Sequence, residues 1–190
     1  TQILLIQPSV VEMTQGQEVA TQNVQIVENA VIRNYSNHIT TRQKLFGNYY
    51  YEFCRFDLLQ TFVLDNYQRV FFDGLSPFDK NQTVKKTKFN LLIYHIDTPI
   101  GWSFGKQLND IEFYMINTGI FSEHQNKGIY SNLLPIILNN LKELDFKFVH
   151  SRHNTDNQRI ITLKQKFGFK IVGIDNDERF GLMIKLKKEL

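Results

Sequence analysis

The chain has 190 residues, 42% of them hydrophobic, with 16 Phe and 8 Tyr, enough apolar material for one buried core. Its 22 Lys and Arg against 19 Asp and Glu leave a formal charge of +3. Outside the short Lys185–Lys188 tail there is no basic block to support nucleic-acid binding. Cys54 is the single cysteine, which excludes an internal disulfide and a Cys-rich metal site, suits a reducing compartment and reads as buried packing.

The apolar start, Ile3 to Ile6, is shorter than a signal or membrane-spanning segment needs, and no later run reaches that length. A cytoplasmic protein without a membrane partner is expected. Residues 19 to 72 carry apolar positions at near-helical intervals, such as Val24, Ile26, Val27, Val31 and Ile32, then Phe53, Leu58, Leu59 and Phe62, and are read as mostly helical. The polar, turn-rich stretch Asp73 to Gln82 separates this half from a differently patterned one.

From Lys88 the pattern becomes that of strands. Phe89 to His95 and Ile100 to Phe104 flank the turn Ile96-Asp-Thr-Pro99 and read as a hairpin. Ile111 to Ile116 forms a third run, continuing through Asn117-Thr-Gly119 to Ile120-Phe121, and that polar, Gly-containing interruption predicts a β-bulge that opens the sheet near Ile120. A helix follows, with Ile129, Leu133, Leu134, Ile137, Leu141 and Leu144 on one face and Pro135 either kinking it or lying in its first turns. Phe146 to His150 is another strand, Asn157 to Phe167 a second helix stopped by Gly168, and Phe169 to Ile174 with Phe180 to Leu186 a closing antiparallel pair. The order from Lys88 is β-β-β-α-β-α-β-β.

A strand that runs into a Gly-containing loop opening a helix suits phosphate, because unpaired backbone N–H groups and the helix dipole both point at the anion. Here that stretch is Gln125-Asn-Lys-Gly-Ile-Tyr130. Gly128 lets the backbone approach a ligand, and Lys127 adds a positive charge. A single glycine ahead of a helix is common and does not identify a site on its own.

The neighbouring residues narrow the reading. Ile120-Phe-Ser-Glu-His-Gln-Asn-Lys-Gly-Ile-Tyr130 resembles the signature of the GCN5-related N-acetyltransferase (GNAT) superfamily, Asn157 followed by Gly168-Phe169 looks like its Asn…Gly-Phe helix, and Pro99-Ile-Gly101 is similar to its hairpin. The resemblance covers the chain from Lys88 onward. It implies an α+β fold with a central mixed, mainly antiparallel sheet flanked by helices and splayed near Ile120. The helical N-terminal half would bound the acceptor side. It also implies one acyltransferase domain over residues 1–190, with an acceptor-side portion 1–86 and a coenzyme A-binding core 87–190.

By the same resemblance acetyl-CoA would be the acyl donor, and a primary amine would attack it directly in a ternary complex. The backbone of Ile120, Phe121 and Ser122 would pair with the pantetheine arm. Gln125, Asn126, Lys127, Gly128, Ile129 and Tyr130 would hold the pyrophosphate, and Asn157 would contact the cofactor further along. Two positions depart from the pattern: Tyr130 stands where Gly or Ala is preferred, and Lys164 stands where a Tyr often protonates the departing thiolate. Lys164 and Arg159 on the second helix either neutralise cofactor phosphate or, the favoured reading, belong to an exposed helix face, with Lys164 as the acid a further alternative.

For proton transfer the superfamily's frequent strand carboxylate falls at Tyr114, while Glu112 lies two residues earlier on the same strand face. Glu112 is taken as the base, against the alternative of a solvated strand charge. His150 and His153 could take up a proton near neutral pH, and they lack zinc spacing, so no metal is expected. Tyr49-Tyr-Tyr51, Phe53 and Tyr67 either line an acceptor pocket or belong to the core. A coenzyme A-binding module without turnover, and an interaction domain that binds no nucleotide, are the competing readings. A monomer or homodimer is expected.

Overall fold

The computed structural model describes Thr41–Phe71 and Phe89–Leu190. By internal packing the chain divides into two compact units, Thr1–Ile39 and Thr40–Leu190; the described residues all belong to the second. The polar boundary at Asp73–Gln82 and the apolar positions from Val24 to Ile32 lie outside them. No helix among the described residues is long and apolar enough to cross a membrane.

The second unit is built on one eight-stranded sheet in the order β1-β2-β3-β4-β5-β6-β8-β7. The first strands are β1 (Gln43–Phe46) and β2 (Tyr49–Phe53), an antiparallel hairpin. The mostly helical reading of residues 19–72 therefore fails at 43–53. Tyr49, Tyr51 and Phe53 alternate along a strand, and Tyr51 is buried, as β-forming aromatics do on a half-covered sheet. The helical reading holds for α1 (Phe56–Asn66), whose Leu59, Phe62 and Val63 repeat at helical spacing and are buried.

β3 (Phe89–His95), β4 (Thr98–Gln107) and β5 (Glu112–Ile120) continue the sheet as an antiparallel meander. α2 (Ile129–Glu143) then leads to β6 (Phe148–Asn154), which pairs with β5 in parallel. α3 (Gln158–Lys166) precedes the antiparallel β7 (Lys170–Asp177) and β8 (Gly181–Glu189), and β8 sits between β6 and β7. The order β-β-β-α-β-α-β-β from residue 89 agrees with the sequence. Pro135 sits in the body of α2, which runs on past it to Glu143.

Side chains alternate across the sheet. On one face Trp102 is fully buried against Phe62 of α1, with Phe121 and Phe71 as further ring neighbours. On the other, Phe113 meets Phe89 and Phe146, and α3 packs over Met115 through Lys164. Cys54 is half-buried, and burial pushes its thiol up to about 12, so it is an unreactive packing residue.

Candidate functional site

β5 is a partner to both β4 and β6, but unequally. It follows β4 from Phe113 to Ile120, yet pairs with β6 only from Glu112↔Phe148 to Met115↔Ser151. The pairing with β4 slips where Phe104↔Asn117 gives way to Gly105↔Met115, so Ile116 is the extra residue of a β-bulge. Past Met115 and Ser151 the two strands have no ladder between them. The sheet thus opens at its centre from Met115 toward Ile120, with its bulge next to the Asn117-Thr-Gly119 interruption that predicted one.

Because β5 and β6 are parallel, both leave the opening in the same direction, and α2 and α3 start at that same edge. The loop from Phe121 to Gly128 carries the first helix. Gly128 is its N-cap with φ +80°, a left-handed conformation that favours glycine, and Asn126 is also at positive φ. The first helical amide to find an acceptor is that of Asn132, on the Gly128 carbonyl at 3.1 Å. Among the described residues nothing accepts from the amides of Gly128 through Ser131. These free donors at a helix N-terminus fit a pyrophosphate.

The loop is held from outside. Arg69 pairs with Glu123 at 2.5 Å and lies over the Phe121 ring, and Gln125 Nε2 donates to the Ile120 carbonyl at 2.8 Å. The Ile120 carbonyl expected to meet pantetheine therefore already accepts a side chain. Phe121 is buried rather than open to a ligand, and its amide donates to Ile100. Ser122, Lys127 and Gly128 are exposed, Ile129 is buried, and Tyr130 is half-buried with its phenol pushed up by burial. Asn157 caps α3, its Oδ1 accepting from the Ile160 amide at 3.4 Å, so its first role is structural.

The catalytic candidates are placed unequally. Tyr114 lies one residue before Met115, its phenol raised mainly by burial. It belongs to the sheet face that also carries Glu112, His150 and Arg152. With Arg152, His150, Asp175 and Lys185 it lines a groove of about 420 Å3. Glu112 sits three residues before the opening, bonded to Lys187 Nζ at 3.0 Å, Asn109 Nδ2 at 2.8 Å and His150 Nε2 at 3.2 Å. These bonds, that of Lys187 foremost, hold its carboxyl at about 2. A carboxylate held so firmly in its charged form is a weak proton acceptor at neutral pH, and its three partners also make Glu112 something other than a freely solvated strand charge.

His150 and His153 point to opposite faces of β6. His153 belongs to the strand rather than to the loop after it, and its Nε2 is shut off from solvent with no hydrogen-bond partner among the described residues. Burial, aided by the charge of Lys164, lowers it to about 3. Lys164 was expected on an exposed helix face and is instead 1% exposed. Its stem packs inward at a position that also meets the opening, a placement a charged residue type does not advertise. Arg159 is exposed as expected. No group of three or more His, Cys, Asp or Glu among the described residues is arranged for a metal ion.

No family profile matches the chain, and no curated protein matches it in sequence. Solved structures do match in fold. The ribosomal-protein-S18-alanine N-acetyltransferase of Escherichia coli superposes with a TM-score of 0.59 at 13% identity, over 74% of this chain and 93% of that one. A GNAT family acetyltransferase from Elizabethkingia anophelis with acetyl-CoA bound gives 0.55 at 17% identity, over 76% and 100%. Arabidopsis thaliana Naa50 in complex with a bisubstrate analogue of coenzyme A and a peptide gives 0.56 at 16%, over 76% and 100%. With its opened mixed sheet and the loop that follows it, this chain has the fold of the GNAT acetyltransferases.

Proposed function

We propose that this protein is an N-acyltransferase that moves an acyl group, acetyl in the first instance, from coenzyme A to a primary amine by direct attack in a ternary complex. The observation that carries the proposal is the run of unpartnered amides from Gly128 to Ser131 at the mouth of an opened sheet. In this reading the amides and the α2 dipole hold the pyrophosphate, with Gln125 and Lys127 beside them. The facing edges of β5 and β6 beyond Met115 offer unpaired backbone groups to pantetheine. Gln125 would release the Ile120 carbonyl or share it with the ligand, since a carbonyl oxygen can accept two bonds.

Aminolysis of a thioester needs a neutral amine held near the carbonyl, stabilisation of the oxyanion and a path for protons. The bulge at Ile116 supplies backbone donors for the oxyanion. Tyr114 and His153 flank the opening on its two faces and are the groups proposed to contact the reacting atoms, while Glu112 holds Lys187 and His150 on the face that carries Tyr114. The single-domain reading, with the coenzyme A-binding core from residue 87, belongs to the same proposal, as do a monomeric or homodimeric state and a cytoplasmic setting.

Calorimetry of acetyl-CoA, free coenzyme A and an unrelated nucleotide, followed by thiol release with an amine library in the same samples, tests the proposal. Tight coenzyme A binding with amine-stimulated thiol release is expected. Binding without release would leave a coenzyme A-binding module, and no binding would remove the reading altogether.

A further inference from the structure

The sheet face that carries Tyr114 is charged along its length, and the groove in it has apolar walls. Tyr114 pairs with Lys106 of β4 on one side and with His150 of β6 on the other, and Arg152 pairs with Lys185 of β8 further along. Leu108 and Val172 line the groove while 48% and 55% exposed. Ser151, the last residue of the parallel ladder, lines it too, so the groove reaches the place where β5 and β6 part.

The charges of the floor are engaged with one another, with one exception. Arg152 Nη2 meets Asp175 and Asp177, each at 3.1 Å, and Lys185 Nζ meets Asp175, also at 3.1 Å. Lys187 Nζ and His150 Nε2 share Glu112. Arg152 Nε and Asp175 Oδ1 have no partner among the described residues, but both are shut off from solvent and offer a ligand nothing. Lys106 is exposed and lines the groove, yet has neither an ion pair nor a hydrogen-bond acceptor among the described residues. Of the lining residues Lys106, Arg152 and Lys185 are cations and Asp175 alone is an anion, so the groove is complementary to negative charge.

Position says where that charge would sit. An amine attacking the thioester stands in the opening, between β5 and β6 and past Met115. Lys106 is level with Tyr114 one strand over, so its Cα lies about one and a half strand spacings across and one residue back, roughly 8 Å in the plane of the sheet. An occupant with its amine in the opening and an anion on Lys106 therefore has a body several bonds long, and Leu108 and Val172 suit methylenes. A single free ammonium, with no second one beside it to form a fork, matches a carboxylate better than a phosphate of about two charges.

Resting on the acyl-transfer reading above, we propose that this groove selects a small acceptor whose primary amine is joined through an aliphatic body to a carboxylate, and that Lys106 binds the carboxylate and so sets acceptor specificity. The groove's volume of about 420 Å3 suits a small molecule. Arg152 and Lys185, held by Asp175 and Asp177, shape the floor and add to its positive field without contacting the acceptor's anion.

The test follows thiol release from acetyl-CoA with glycine, γ-aminobutyrate and ε-aminocaproate, each beside its amide, which keeps the amine and the body and removes the charge. For the two longer acceptors the wild type should favour the acid over its amide in kcat/KM by roughly 5–30-fold, the worth of one charge-assisted hydrogen bond at a solvent-facing site. The difference should lie in KM, and glycine, too short to reach Lys106, should show less of it. Lys106→Met should abolish the preference, and Lys106→Glu should turn it toward a diamine of the same length. Lys142→Met, which removes a charge of α2 outside the groove, should keep the wild-type ratio. Calorimetry of N-acetyl-ε-aminocaproate and its amide on the coenzyme A-bound enzyme makes the same comparison without turnover.

An acid and an amide used equally by the wild type, a preference that survives Lys106→Met, or an aminoalkyl phosphate favoured over the carboxylate of equal length would overturn the inference. So would turnover of other amines with none of these acids accepted. A wild type in which no amine of any kind stimulates thiol release would instead overturn the acyl-transfer reading beneath it.

Discussion

Gly119 is where the sheet has least room to change. It pairs with Trp102 across β4 and β5, and a Cβ built on it would stand 2.6 Å from Trp102 Cε2 and 2.9 Å from Cη2, with Cζ2 closer still. The indole has nowhere to retreat, since Phe62, Phe71 and Phe121 surround it and it is fully buried. Overpacking of this kind costs about 1–3 kcal/mol. Tilting the ring also breaks the bond from Trp102 Nε1 to Asn117 Oδ1, 2.7 Å long, worth about 1 kcal/mol. Gly119→Ala should therefore lose ~2–4 kcal/mol, which for a unit of this size lowers Tm by roughly 4–16 °C. Thermal unfolding followed by the fluorescence of Trp102, the one tryptophan, measures it. Gly173→Ala is the control, because its Cβ would meet only Lys185 Cδ at an ordinary 3.8 Å, and it should stay within about 0.5 kcal/mol. A Gly119→Ala protein as stable as that control would refute the packing argument and the register that places Gly119 under the indole.

Gly128→Val should remove coenzyme A binding in calorimetry while costing the fold only about 1–2 kcal/mol. The strain comes from φ +80° and not from crowding, since the nearest neighbour of its Cβ is Asn132 Nδ2 at 3.5 Å; unchanged affinity would free the loop from its phosphate role. Glu112→Gln should lower kcat by less than about tenfold, as loss of a modest ion pair would, and a larger fall with pH-dependent rescue would restore Glu112 as the base. In acid unfolding the depressed Glu112, at about 2 when folded against 4.5, contributes stability above pH 4.5 that is lost as pH falls toward 2. Glu112→Gln should flatten that window. His153, at about 3 against 6.5, contributes a loss between pH 6.5 and 3 that His153→Phe should flatten.

The strands from Phe89 to Ile120 were legible because short apolar runs rich in strand formers are bounded there by turn residues, and the α2 and α3 boundaries because Gly128, Asn157 and Gly168 punctuate them. The loop that opens α2 was legible for the same reason: only a glycine tolerates φ +80° cheaply. The hairpin at 43–53 was not, because Phe53 and the apolar residues after it continue a helical spacing, and the pairing of Tyr51 with Ile93 is a fact about residues 42 positions away. The sequence placed the bulge and the opening near Ile120, and only the strand pairing fixes where they start. A bulge is set by the register of two strands, and Ile116 looks like any other strand residue. Lys164 was misplaced because a charge predicts exposure, whereas here the ammonium is buried under the sheet's opening. For Glu112 the sequence shows a carboxylate but not the Lys187, Asn109 and His150 that bond to it.

The parallel ladder between β5 and β6 has only four residue pairs, and every other strand pairing in the sheet is antiparallel. β1 to β5 form one meander, and β6, β8 and β7 form another local unit, so each can zip up from nearby sequence while the seam must wait for α2 to bring its edges together. That seam is the line along which the folded molecule separates most cheaply, and amide exchange at Phe113 to Met115 should report partial openings that leave both meanders intact. A molecule lodged between the strands acts as a stitch across it, so occupancy would be felt as the fusion of two weakly joined halves into a single cooperative body.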